Sequence, residues 1–144
     1  MLQAGATSSM GHWIDFPVND MESWKRVCEE RFQPDPAERL PEDWDSRKPT
    51  FKKRARTRWV CFFGFPFFGL FGGIRQLMGL EGMLFSMFDR PQLIHTMVDD
   101  LTQFWVATFS EVLRDVPLDM VTFFEDMCAN KAPLISPELF QTFL

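Results

Sequence analysis

The sequence predicts an α/β protein in which helices connect two parallel strands. Two segments, 59–65 and 118–124, are rich in aromatic and β-branched residues, which is typical of strands that are covered on both faces. Between them, apolar residues recur every three or four positions, as they do in helices that pack on a sheet. The order strand, helix, helix, strand, helix start implies a crossover connection between parallel strands.

Residues 1–58 are predicted to form an arm, a helix and a charged linker. Residues 11–18 alternate well enough to form a short strand or an extended arm. Asn19, with Glu22 three residues later, is a candidate capping box for the helix that follows. Prolines interrupt residues 34–57, where a short helix is expected to lie on a larger body. Its candidate anchors are Leu40, Trp44 and Phe51.

A run of cations in residues 52–58 directly precedes Trp59. It fits a phosphate-binding patch, the flank of a membrane span, or the solvated end of a helix that leads into a buried strand. The last is favoured, because the following segment is strand-like and the chain carries a net charge of -5. The uncharged stretch 59–74 is shorter than the roughly 20 residues that span a bilayer, and glycines and a proline interrupt it. We therefore expect neither nucleic acid nor membrane as a partner.

Two helices are predicted between the strands, over residues 74–88 and 91–115. The glycine-rich segment before the first helix either lets a ligand approach the backbone or turns the chain sharply over packed aromatic residues. Gly72 and Gly73 are its candidate ligand-contacting positions. Arg75 is either a partner for a ligand carboxylate or an arginine in solvent at the start of a helix.

Glu125 and Asp126 directly follow the second predicted strand. Acidic groups at the carboxyl end of a parallel strand occupy the position where α/β barrels build their active sites. A carboxylate there could stabilise a developing cation or position a substrate N–H group. The alternative is that both are polar residues at the point where a strand reaches the surface. Residues Ser136 to Glu138 then predict a capped helix start.

The sequence predicts no metal site and no cofactor. Cys28, Cys61 and Cys128 are widely separated and form no Cys-x-x-Cys pair, which argues against a disulfide framework or a zinc site. His12 and His95 have no further ligand at metal-binding spacing. The cysteine pattern favours a reducing compartment, and we expect a cytoplasmic protein.

Several segments resemble, in order along the chain, the uroporphyrinogen decarboxylase family. They are Phe16–Trp24, Phe71–Phe85, Asp89–His95, Val116–Met127 and Pro133–Phe140. The chain looks closest to the uncharacterised decarboxylase-like branch, which includes relatives of corrinoid-dependent methyltransferases. The resemblance implies a partial (β/α)8 TIM barrel, because 144 residues are well short of the about 250 of a closed barrel. Residues 59–144 would form about its first third.

The resemblance implies a carboxy-lyase that removes acetate carboxylates from a tetrapyrrole without a cofactor, as in porphyrin biosynthesis. Asp126 would then be catalytic, and Glu125, Arg75, Gly72 and Gly73 would contact the substrate. The chain has no tyrosine and lacks the arginine-bearing amino-terminal motif of true decarboxylases. A protein related to corrinoid-dependent methyltransferases is therefore an alternative. Another is an inactive, truncated chain that self-associates or pairs with the missing part of the barrel.

Overall fold

The structure, a computed structural model, describes residues 2–3, 12–13, 15–33, 35, 39–59, 61–63 and 69–144. Most of these residues lie in helices, and each strand is only two or three residues long. In chain order the elements are β1 (Leu2–Gln3), β2 (His12–Trp13), α1 (Met21–Arg31), α2 (Trp44–Arg54), β3 (Cys61–Phe63), α3 (Leu70–Met78), α4 (Leu80–Asp89), α5 (Pro91–Asp115), β4 (Met120–Thr122) and α6 (Pro137–Phe143).

Helix α1 begins at a reciprocal cap, one residue later than the sequence predicts. The carboxylate of Asp20 accepts a hydrogen bond from the Ser23 N–H at 2.8 Å, and the Ser23 hydroxyl accepts one from the Asp20 N–H at 3.0 Å. The predicted box between Asn19 and Glu22 is therefore wrong in register. A short serine can perform the role usually given to Glu or Gln at this position, because its oxygen already lies close to the cap.

Helices α3 and α4 follow one another directly and are separated by the single residue Gly79. The φ angle of Gly79 is 76°, a left-handed conformation that favours glycine. A Cβ atom there would lie 2.6 Å from the ring of Phe16, so the amino-terminal segment packs directly against the break. The single helix predicted for residues 74–88 is thus two helices, and the first of them begins at Leu70.

The hydrophobic core is built mainly from helices. Its members share almost complete burial and come largely from α1, α3, α4 and α5. They include Trp24, Val27, Phe71, Ile74, Met78, Met83, Met87, Leu93, Ile94, Met97 and Leu101. Helix α5 contributes a stripe at helical spacing, as the sequence predicts. The methionines suit such a core because their unbranched side chains fill irregular gaps between helices.

Strands β3 and β4 pair in parallel, with Cys61 opposite Met120 and Phe63 opposite Thr122. All three residues of β4 are exposed. Strands β1 and β2 form a separate antiparallel pair. The parallel pairing implied by the element order is therefore present, and within the described residues it is a ladder of three residues. Residues 60, 64 and 65 of the first predicted strand lie outside the described residues.

The predicted fold class, a partial (β/α)8 TIM barrel of the α/β class, is wrong. The described residues are mostly helical, and their two small strand pairs do not make a barrel sheet. The physical reason is that apolar runs do not report how far a strand extends, since helix packing buries the same side chains equally well. Among the described residues, the apolar side chains of the core are buried mainly between helices.

Helix α2 lies on the outside of the molecule and buries none of its residues. Its Lys48 ammonium group lies 2.7 Å from the carboxylate of Asp115, at the end of α5. Hydrogen bonding to Lys48 lowers the pKa of Asp115, and the same bond raises the pKa of Lys48. This ion pair ties α2 to the helical body. No helix within the described ranges is long and apolar enough to cross a membrane.

Candidate functional site

The carboxyl end of β4 and the start of α3 meet in very close contact. A Cβ atom at Gly69 would lie 2.5 Å from the carbonyl oxygen of Phe124, and one at Gly72 would lie 2.7 Å from the same atom. Both distances are shorter than real Cβ contacts allow, so each position requires glycine. The backbone that approaches Gly72 belongs to the chain itself, whereas a ligand was one of the two alternatives predicted for this segment.

Glu125 caps the amino terminus of α3. Its two carboxylate oxygens accept hydrogen bonds from the backbone N–H groups of Leu70 at 2.9 Å and of Gly72 at 3.1 Å. These N–H groups have no partner within their own helix, and the helix dipole favours a negative charge beside them. The predicted substrate contact at Glu125 is therefore occupied by an internal bond that fixes the loop after β4 to α3.

Arg75 and Asp126 form an ion pair beside this cap. One guanidinium nitrogen of Arg75 donates to the Asp126 carboxylate at 2.9 Å, and another donates to the Asp126 carbonyl oxygen at 3.1 Å. The side chains are 23% and 51% exposed, respectively, so the pair remains open to solvent. Asp126 has a φ of 43°, a left-handed conformation that aspartate tolerates better than most residues. The sequence predicted a ligand carboxylate or solvent as the surroundings of Arg75, and the structure shows a third arrangement, an internal ion pair.

Gly73 lines a cleft of about 560 Å³, which we call the two-arginine cleft. Its walls come from the segment before α1, from the end of α1, and from α3 and α5. The residues that line it are Asp15, Phe16, Pro17, Arg31, Phe32, Arg39, Gly69, Gly73, Gln76, Leu77, Leu101, Phe104 and Trp105. Sequence reasoning missed Arg31 and Arg39, because no motif distinguishes them from other surface arginines.

A second cavity, which we call the α5–β4 groove, has a volume of about 710 Å³. It lies between the outer side of α5 and the strand β4. Apolar residues dominate its lining, and they include Trp105, Val106, Phe109, Leu113, Leu118, Val121 and Phe123. Neither cavity is lined by Arg75 or Asp126. Of the predicted site residues, Glu125 lines the α5–β4 groove and Gly73 lines the two-arginine cleft.

Metal ligands and reactive thiols do not converge in the described part of the chain. No group of three or more His, Cys, Asp or Glu residues is placed there to hold a metal ion. Cys28, Cys61 and Cys128 are free thiols. Burial, together with the nearby acids Asp100 and Glu29, raises the pKa of Cys28. A raised thiol pKa makes Cys28 a poor nucleophile at neutral pH, since the thiolate is the reactive form.

Comparison with known proteins yields no match among family models, curated proteins or solved structures. The resemblance to the uroporphyrinogen decarboxylase family therefore stays a prediction from the motifs.

Proposed function

We propose that this chain binds a tetrapyrrole or a similar polycarboxylate, and that it derives from an enzyme of the uroporphyrinogen decarboxylase type. The observation that best supports this is the meeting of Arg75 and Asp126, two predicted site residues from separate segments, at 2.9 Å. An arginine can bind the acid side chain of a ligand, and an adjacent carboxylate can bind its pyrrole N–H. No barrel is invoked, because the described residues do not form one.

The chemistry would place Asp126 beside the reacting ring. In decarboxylation of a pyrrole acetate, a proton first adds to the ring, and the bond to the carboxylate then breaks, so that its electrons pass into the ring as CO2 leaves. A proton then adds to the methylene carbon, and the ring releases the proton it gained, which restores the pyrrole. A carboxylate beside the ring favours that protonated state. Oδ2 of Asp126 is bound by Arg75, which orients the carboxylate so that Oδ1 can accept a hydrogen bond from the ligand.

Binding of uroporphyrin, followed by quenching of tryptophan fluorescence, tests this proposal. Arg75→Gln and Asp126→Asn should each weaken binding at least tenfold. Arg114→Gln is the matched control, because it removes an arginine whose guanidinium pairs with Glu111 on the outer side of α5. Equal affinity in all three variants would refute the proposed site. Tight binding of a cobalamin in place of uroporphyrin would favour the methyltransferase-related alternative.

A second candidate is that the chain works only when it is associated with another chain, of the same or a different kind. The exposure of β4 favours it, since parallel strands are normally covered on both faces. Val106, Leu113 and Phe123 are 60%, 51% and 62% exposed beside the α5–β4 groove, which forms an apolar patch of the kind found at interfaces.

Light scattering after size-exclusion chromatography tests this second candidate. Val106→Lys combined with Leu113→Lys should reduce the mass of the purified assembly. Phe88→Lys is the control, because Phe88 is 70% exposed on α4 and does not line the groove. A wild-type chain that is monomeric at all concentrations and unfolds cooperatively would exclude self-association.

We further propose that the protein acts in the cytoplasm. Its three cysteines are free thiols, as is usual in a reducing compartment. Fractionation of cells that express the tagged protein would test this, and recovery from an oxidising compartment would contradict it.

A further inference from the structure

We propose that the two-arginine cleft is a binding site for a planar, conjugated compound that carries at least two acidic groups. The cleft has a volume of about 560 Å³, within the range of about 300–1,000 Å³ that small-molecule sites occupy. Its lining combines aromatic side chains with two cations. This inference stands on the cleft alone and does not depend on the Arg75–Asp126 cluster.

Two arginines line the cleft, and the side chain of one contacts the backbone of the other. The guanidinium of Arg39 donates a hydrogen bond to the backbone carbonyl of Arg31 at 2.5 Å, which fixes it beside the end of α1. It also lies 5.2 Å from the centre of the Phe104 ring, within the range of cation–π contact. A guanidinium held in this way loses little further freedom when it binds a ligand carboxylate.

The wall beside the cations is aromatic. Phe104 packs edge-on against Phe32, with ring centroids 5.4 Å apart, and against Trp105, with centroids 4.9 Å apart. Gly73 also lines the cleft and adds no side chain to it, which leaves room for a flat ring system. Such rings gain both apolar burial and stacking in this position.

The charged residues that line the cleft determine which ligand charge it favours. Arg31 and Arg39 are its cations, and Asp15 is the single acid among the described lining residues. Asp15 is exposed, and its carboxylate already accepts a hydrogen bond from the Phe16 N–H at 2.8 Å. The balance is positive beside an apolar surface, which favours an aromatic anion over a neutral or cationic compound.

Calorimetric titration with naphthalene-2,6-dicarboxylate tests the inference, with its neutral dimethyl ester as the matched ligand. The wild-type chain should bind the diacid at least tenfold more tightly than the ester. Arg31→Gln and Arg39→Gln should each weaken binding of the diacid about tenfold. Arg26→Gln, which removes an exposed arginine of α1 that does not line the cleft, should leave it unchanged.

A charge-reversal variant distinguishes the loss of a specific ligand contact from the loss of folding. The double variant Arg31→Glu with Arg39→Glu should lose the diacid and gain affinity for the corresponding naphthalene bis(methylamine), with an unchanged far-ultraviolet circular dichroism spectrum. Equal loss of diacid binding in Arg26→Gln would show general charge attraction and overturn the assignment. Failure of the wild-type chain to prefer the diacid over the ester would overturn it as well.

Discussion

Replacement of Gly72 by alanine should destabilise the protein, whereas the same replacement at Gly82 should stabilise it. Both glycines lie within helices, α3 and α4. A Cβ atom at Gly72 would lie 2.7 Å from the Phe124 carbonyl oxygen, whereas one at Gly82 would lie 3.8 Å from its nearest neighbour. The two substitutions therefore have the same chemistry and differ in the space around the new methyl group.

The magnitudes follow from two opposing contributions. Alanine in place of glycine stabilises a helix interior by about 1 kcal/mol, and this applies to both positions. At Gly72 the methyl group must also displace a backbone carbonyl that holds the loop after β4. Overpacking of this kind costs about 1–3 kcal/mol. The difference between the two variants removes the common helix contribution and leaves a steric cost of about 2 kcal/mol.

Urea denaturation followed by circular dichroism at 222 nm measures this difference directly. A gap of about 2 kcal/mol corresponds to a difference in Tm of about 4–8 °C for a chain of this size. Because Gly72 is also a predicted ligand contact, the stability measurement separates its structural role from any role in binding. If Gly72→Ala were as stable as Gly82→Ala, the close approach of β4 to α3 would be wrong.

Three further predictions concern contacts between elements. Glu125→Gln should destabilise the protein by about 1–2 kcal/mol in urea denaturation, because an amide offers one acceptor oxygen to two helix N–H groups. Trp24→Phe should cost about 2–3 kcal/mol, since it removes a buried indole N–H bonded to a carboxylate at 2.8 Å. Trp59→Phe, at a site 82% exposed, should change stability little. Asp115→Asn should speed hydrogen exchange in α2 at pH 7, because it breaks the ion pair with Lys48. In the wild-type chain this tether should weaken only as pH falls below 3.8, the ordinary pKa of aspartate, since folding lowers the pKa of Asp115. Wild-type exchange that already matched the variant at pH 7 would contradict this.

Some local signals in the sequence predicted local structure correctly, although the cap of α1 and the single helix over residues 74–88 were wrong. Ser136 accepts a hydrogen bond from the Leu139 N–H at 3.2 Å, and Pro137 begins α6, as the cap pattern predicted. Pro91 likewise begins α5, which ends at Asp115 as its periodicity indicated. These signals succeed because capping and amphipathic spacing depend on residues within a few positions of one another.

The fold class could not be predicted in the same way. Whether segments 59–65 and 118–124 lie in an extended sheet depends on what else is available to cover them. Among the residues that the structure describes, the ladder spans Cys61–Phe63 and Met120–Thr122. Among the described residues, the main core comes largely from helices α1, α3, α4 and α5. The periodicity of a single apolar run does not indicate whether strands or helices from distant parts of the chain will cover it.

For the candidate site, the sequence predicted which residues meet but not what each of them binds. The sequence predicted Glu125, Asp126 and Arg75, and the structure brings all three to the junction of β4 with α3. The sequence could not predict that Glu125 would bind backbone N–H groups, because those groups belong to a helix start more than 50 residues away in sequence. Once Glu125 is satisfied in this way, Asp126 is the acid at this junction with a carboxylate that is half exposed. Asp126 and its partner Arg75 are therefore the pair to change first in a search for ligand binding.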